Sequence, residues 1–295
     1  MNTSPKNIHT YKVAIALGLS IIFWASAFVA IRESLSSFQP GSLALFRFLI
    51  ASMVLLPAAI IKKMKIPQLK DLPSFLVIGF AGISIYHLAL NYGELTVTAA
   101  TSSFIISSTP ILTGIMSIFF LKERIKIWGW IGILISFSGI ALITFSEGEL
   151  GKINWGALLV MVSAICSSLY VIYQKKLLKT YSILEVTTWS IWIGTIFLFI
   201  FTPSLLSDFK TASLKDTLGV IYLGIFPAAI AYLLWTYSVS KFKSATHITS
   251  FLYLSPIITT LIGIIWLREY PGLYSIIGGL IVLSGVILTN TKGRR

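Results

Sequence analysis

Thr98-Ala99-Ala100-Thr101-Ser102-Ser103 opens a stretch that passes Ser107-Ser108-Thr109-Pro110 and ends at Leu121-Lys122-Glu123, and the chain contains it twice. The second copy begins Ser244-Ala245-Thr246, passes Ser255-Pro256 and ends Leu267-Arg268-Glu269. Ala99 and Ala245, Pro110 and Pro256, and Glu123 and Glu269 are each 146 residues apart, so the copies align without a gap. At about 1.5 Å of rise per residue, each copy can cross a hydrocarbon core about 30 Å thick. A proline inside such a helix frees a carbonyl, and hydroxyls in lipid need partners or water. These features predict two interior helices facing each other across a cavity, with Pro110 and Pro256 as hinges. Close packing of membrane helices is the other reading, because it uses the same residue types.

Hydrophobic residues make up 56% of the chain and charged residues 11%, with mean hydropathy +0.88. Soluble proteins carry about 25% charged residues. The composition therefore predicts an all-α integral membrane protein. Its apolar runs place spans at Lys12–Ile31, Ser42–Ile61, Leu72–Tyr92, Val97–Leu121 and Ile127–Ser146. A second set follows at Asn154–Gln174, Ile183–Pro203, Asp216–Ser238, Ala245–Leu267 and Leu273–Asn290. The first span includes Ala25-Ser26-Ala27, which resembles a signal-cleavage triplet, but the run continues to Ile31 and cleavage is not expected.

The net charge of +13 orients the chain. Alternate loops, counted from the N-terminus, hold seventeen of the 23 lysines and arginines; the opposite side holds five, and Arg47 lies within a span. The positive-inside rule puts both termini in the cytoplasm. The basic loops are short and scattered, which excludes a nucleic-acid partner. Trp128 and Trp130 at one boundary, and Trp155, Trp266, Tyr270 and Tyr274 at the other, read as an interfacial belt. Cys166 has no cysteine to pair with, and His9, His87 and His247 have no ligand spacing, so no metal or cofactor is expected. There are no paired carboxylates within a span, no nucleophile elbow and no phosphate loop, so an enzyme is not expected.

The duplication extends beyond the opening stretch. Trp24 matches Tyr170, Pro57 matches Pro203, Tyr86 matches Tyr232, Gly132 matches Gly278 and Gly139 matches Gly285, all at the same shift. The division is 1–146 and 147–295, with five spans in each part. An odd number of spans per repeat turns the second upside down relative to the first. Carriers built this way bind substrate near the midplane, between the repeats.

Candidate lining residues follow from polarity and helical spacing. Trp24 and Tyr170 place an aromatic at the midplane of each leading helix. His87, Asn91 and Glu94 share a face of the third span; His87 is a candidate proton carrier, and Glu94 is expected to reach outer water. Tyr86, Tyr232 and Trp235 offer hydroxyl, indole N–H and ring faces. Ser103 and Ser107, with their matches Thr249 and Tyr253, share faces with Pro110 and Pro256 and are the strongest lining candidates. Glu123 and Glu269 sit at helix ends with basic neighbours and read as structural. Burying Arg47 costs about 2.5–3.5 kcal/mol on insertion scales unless it pairs. It reads as a structural anchor, with Glu33 as a candidate partner, and substrate binding is the other reading. Gly132, Gly139, Gly278 and Gly285 permit close helix approach and read as packing between the halves.

The chain resembles the EamA family of the drug/metabolite transporter superfamily. The carrying residues are Phe23-Trp24-Ala25-Ser26-Ala27-Phe28-Val29, Gln39-Pro40 with Arg47, and the run Leu90…Ala99-Ala100…Pro110…Leu121-Lys122-Glu123-Arg124. The copy Tyr237…Ala245…Ser255-Pro256…Leu267-Arg268-Glu269 completes the pattern. The resemblance implies ten transmembrane helices in two inverted five-helix repeats. It implies a cavity formed by helices one, three, four, six, eight and nine. It also implies a secondary transporter in a bacterial inner membrane, exporting or importing amino acids or related compounds. The small multidrug relatives use a glutamate in their first helix, and none lies between Val13 and Ile31. The expected partners are a small molecule and the lipid bilayer, with monomer and oligomer both open. Export of a zwitterionic or amphipathic metabolite is the favoured reading, and a non-transporting membrane scaffold is the alternative.

Overall fold

The computed structural model describes residues 5–121, 126–146, 154–242 and 245–292, and every regular element among them is helical. Seven helices are long and apolar enough to cross a membrane: Tyr11–Ser34, Pro40–Ile61, Leu69–Gly93, Ala99–Phe120, Trp155–Leu177, Ile183–Asp208 and Leu214–Lys241. Three shorter apolar helices, Ile127–Ile143, Phe251–Leu267 and Leu273–Leu288, occupy the expected places of the fifth, ninth and tenth spans. The protein is an all-α membrane protein, and these ten segments are numbered in chain order below.

Helix boundaries follow local chemistry. The Thr98 hydroxyl accepts from the Thr101 N–H, and the Asn154 side chain accepts from the N–H groups of Gly156 and Ala157, each satisfying a helix N-terminus. Ser182 and Glu185 form a reciprocal capping box. The seventh span runs further than the sequence predicts. A 3-10 turn at Phe199–Phe201 carries it to Asp208, so most of the expected loop from Ser204 is helix.

Four other spans are irregular, at corresponding places. The fourth is two helices, Ala99–Ile106 and Thr109–Leu121, separated at Ser107 and Ser108. Pro110 has no N–H for the Ile106 carbonyl, and the Thr109 hydroxyl donates to that carbonyl instead, at 2.6 Å. The ninth is Ala245–Thr249, a 3-10 stretch Ser250–Leu254, and Ser255–Leu267. There the Ser255 N–H supplies the Leu252 carbonyl that Pro256 leaves open. The third and eighth spans each contain a π-helical stretch, Val77–Ile85 and Gly224–Ile230, ending just before Tyr86 and Tyr232 respectively. Such insertions re-aim the side chains that follow them.

The packing is reciprocal. The third span packs on the sixth and seventh as the eighth packs on the first and second. The fourth packs on the sixth as the ninth packs on the first. The fifth and tenth form the most extensive pair. Gly139 lies against Gly278 and Gly132 against Gly285, so these two helices run antiparallel. The second and seventh also run antiparallel: the Gln39 N–H donates to Asp208, while Ser52 meets Thr195 thirteen residues further along. Large apolar side chains such as Met53, Phe119, Leu134 and Ile265 face outward, and hydroxyls from Ser20, Thr101, Ser163 and Thr187 are buried. This burial pattern suits a chain whose surroundings are lipid.

Two rims close the bundle. In the first, Ser36, Ser37 and Ser213 donate to Asp216, and Ser42 to Asp208. Arg32 pairs with Glu269 at 3.3 Å. The opposite rim is lysine-rich; the Tyr181 hydroxyl donates to Asp71, and the Lys65 N–H donates to Glu185. The expectation that Glu94 reaches water is wrong. Glu94 is 0% exposed, because the end of the first helix covers it and Arg32 donates to its main-chain carbonyl. The expected Arg47–Glu33 pair is also absent. Glu33 instead takes Lys215 and the Trp266 indole N–H, both on its own rim. Glu123 lies outside the described residues.

Candidate functional site

The interior cavity is small, about 60 Å³. It has room for a few water molecules only. Seven spans line it. The first gives Trp24, Ala27, Phe28 and Ile31; the second Arg47; the third Gly82, Tyr86, His87 and Leu90; the fourth Ile106. The sixth gives Ser167, Tyr170 and Val171; the eighth Tyr232 and Trp235; the ninth Leu252 and Ser255. Three opposed pairs, Trp24 with Tyr170, Tyr86 with Tyr232 and Ile106 with Leu252, keep the 146-residue shift.

The aromatics form one connected cluster. The Trp24 ring lies 5.4 Å from Tyr232 and 5.0 Å from Trp235, and Tyr170 meets Tyr232 edge-on at 5.7 Å. The Trp24 indole N–H donates to the Pro227 carbonyl at 3.0 Å, inside the eighth span's π-helical stretch. His87 bridges two polar groups: Nε2 lies 3.2 Å from the Tyr232 hydroxyl and Nδ1 3.4 Å from Arg47 Nη1. A guanidinium has only donors, so Nδ1 accepts, and Nε2 carries the proton and donates to Tyr232. His87 is thus a neutral link between Arg47 and Tyr232. Towards the lysine-rich rim, Gln174 donates to the Tyr170 and Thr236 hydroxyls.

The structure brings Trp24, Tyr86, His87, Tyr170, Tyr232 and Trp235 to the cavity. It leaves five other candidates out of the lining. Asn91 is buried and donates to the Pro40 carbonyl at 2.9 Å. The Ser103 and Ser107 hydroxyls turn back onto the Ala100 and Ser103 carbonyls of their own helix. Thr249 is buried and Tyr253 half-buried, both outside the lining. Their neighbours Ile106, Leu252 and Ser255 take those places. The helix breaks at Pro110 and Pro256 were readable in the sequence, but not the rotation they impose. Arg47 belongs to the site as well as to the packing: it is 2% exposed and lines the cavity from the second span, which the resemblance omits.

Above the cavity, the Arg32–Glu269 rim opens a shallow cleft of about 580 Å³ lined by Arg32, Glu33, Lys215, Asp216 and Glu269. Glu269 also accepts from the Ala99 N–H at the start of the fourth helix. Glu94, at the end of the third span, is fully buried. Burial holds its pKa well above the usual carboxylate range, against the opposing pull of Arg32. The folded protein therefore binds this proton more tightly than the unfolded chain does. The resulting stability is fully present below the unfolded value of about 4.3 and is lost as pH rises through the folded value. Thermal unfolding should show wild type falling relative to Glu94→Gln as pH rises above the unfolded carboxylate value. Parallel curves for the two proteins would refute this account of Glu94.

An all-helical membrane bundle with a small, mainly aromatic and apolar interior cavity carrying a few polar groups defines a polytopic membrane carrier. The EamA-like transporter family model matches residues 12–145 and again 154–291, and the chain belongs to that family. It is a transporter and not an enzyme. It is 38% identical to the uncharacterized transporter YdfC of Bacillus subtilis (strain 168), over 96% of this chain and 92% of that one. It is 35% identical to a probable terminal-alkyne amino-acid exporter of Streptantibioticus cattleyicolor, over 96% of each chain. A solved crystal structure shares the fold at TM-score 0.66 and 18% identity, covering 96% of this chain and 98% of that one.

Proposed function

We propose that this transporter exports an amino acid or a related amphipathic metabolite across a bacterial inner membrane by alternating access, with both termini in the cytoplasm. The observation that carries the reading is the interior cavity, lined by matched residues from both parts of the chain. Residues 1–146 and 147–295 act as two inverted repeats, with Pro110 and Pro256 as hinges between them. The antiparallel runs of the fifth and tenth and of the second and seventh spans support the inversion. The corresponding irregularities in the third, fourth, eighth and ninth spans support movement there. The relative named as an amino-acid exporter supports the substrate class. The seventeen basic residues on alternate loops support the orientation.

The test is counterflow in proteoliposomes made with the purified full-length chain. Vesicles loaded with unlabelled apolar amino acids should accumulate the labelled compound in a saturable manner. No flux of any amino acid, from protein shown to be folded, would overturn the reading and favour a scaffold.

A further inference from the structure

We propose that Arg47 anchors the carboxylate of the transported compound, so that the central site selects apolar carboxylates and does not require an ammonium group. This deepens the transport reading above and rests on it.

Arg47 sits in the second span, 2% exposed, and lines the cavity. Among the described residues, no carboxylate stands within ion-pair distance of it; the described pairs are Arg32 with Glu269 and Lys215 with Glu33. Its contacts are Nη1 to His87 Nδ1 at 3.4 Å and the Phe48 ring at 5.5 Å. Neither carries negative charge. Nε is buried without a partner, and the Nε–Nη2 edge makes no hydrogen bond. Nε and Nη2 are parallel donors of the kind that hold a carboxylate through two N–H···O bonds, and they become available to a ligand as the site widens. A buried guanidinium without a counter-ion is unfavourable, and a ligand carboxylate relieves that.

The surroundings set the rest of the selectivity. Tyr86 and the Tyr232 hydroxyl flank the guanidinium side, and Tyr232 accepts from His87, so its proton is available to a second acceptor oxygen. Trp24, Phe28, Val171 and Leu252 make the remaining wall apolar. No acidic side chain lines the cavity, so nothing there matches the carboxylate anchor with an ammonium partner. A cavity of about 60 Å³ does not hold such a ligand, so the site must widen to admit it. The sequence reading of a near-neutral cavity is replaced by one with a single positive pole.

The experiment uses matched sets of probes on the full-length protein in detergent: phenylalanine, its amide, phenethylamine and 3-phenylpropionate, and the same set built on leucine. Ligand-induced thermal shifts and inhibition of counterflow are read on wild type, Arg47→Lys and Arg47→Met. Phenylalanine and 3-phenylpropionate should both stabilise the wild type, and the amide and amine should not. Arg47→Met should weaken the acids by roughly thirtyfold or more, as removal of one partner of a buried charge pair does. Arg47→Lys should retain part of the binding. Ligand-free Arg47→Met should unfold at or above the wild-type temperature, because an unpaired buried charge has been removed. Equal binding of amide or amine overturns the proposal and leaves the carrier reading standing. A fall of roughly 5 °C or more in ligand-free Arg47→Met also overturns it, because Arg47 is then a structural brace. Binding of 3-phenylpropionate without phenylalanine supports the anchor and overturns the amino-acid reading. Binding of no probe counts against both.

Discussion

Ser167→Phe should weaken the apparent affinity of transport by about 5- to 150-fold while leaving the protein folded. Ser167 is half-buried in the cavity wall, and its hydroxyl makes no described hydrogen bond, so little is lost with it. The phenyl ring is larger than the cavity of about 60 Å³ and must occupy the space a substrate would take. Overpacking a filled interior costs about 1–3 kcal/mol. Charged against substrate binding, that is about a 5- to 150-fold loss of apparent affinity. The lipid-facing side of the same helix is untouched, so size-exclusion profile and helix content should match wild type. Wild-type counterflow from well-folded Ser167→Phe would mean that substrate passes elsewhere.

Gly139→Leu should produce the largest loss of stability. A Cβ on Gly139 would lie 2.5 Å from the Gly278 carbonyl and 2.8 Å from the Val282 N–H. Both contacts are backbone of the tenth helix, which cannot swing aside as a side chain could. The antiparallel contact repeats at Gly278 and at Gly285, so the strain falls on the whole seam between the fifth and tenth helices. The expected cost is about 1–3 kcal/mol or more, and the unfolding midpoint should fall by about 2–4 °C for each kcal/mol. Gly18 is the control: an added Cβ there meets nothing within 4 Å, and Gly18→Ala should unfold with wild type. Equal midpoints for Gly139→Leu and wild type would show that the seam is looser than described.

The sequence carried the architecture because the duplication is regular. A single shift relates Trp24 to Tyr170 and Tyr86 to Tyr232, and these four residues do meet around one cavity. Hydropathy placed the spans, since lipid rewards unbroken apolar runs. The finer placement was hidden for local reasons. Ser103 and Ser107 were expected to face the cavity because hydroxyls in lipid need partners, but the carbonyls of their own helix supply them. Pro110 then turns Ile106 inward. Asn91 has the spacing of a lining residue, yet the Pro40 carbonyl at the start of the second helix takes its amide. The cost of burying Arg47 was plain from its position, but its surroundings were not. Glu33, the expected partner, is held at the rim by Lys215 and Trp266. Pairing across helices depends on rotation about each axis, and hydropathy does not report rotation.

Site-directed labelling from each side of the membrane tests the central claim most directly. Cys166 is the chain's single cysteine, so a Cys166→Ser background accepts one reporter, Ser255→Cys, in the ninth-helix wall of the cavity. A membrane-impermeant thiol reagent is applied to right-side-out and inverted vesicles, with and without saturating apolar amino acids. Alternating access predicts labelling from both sides, with substrate shifting the balance between them. Labelling from one side only under every condition, or from neither, would contradict it.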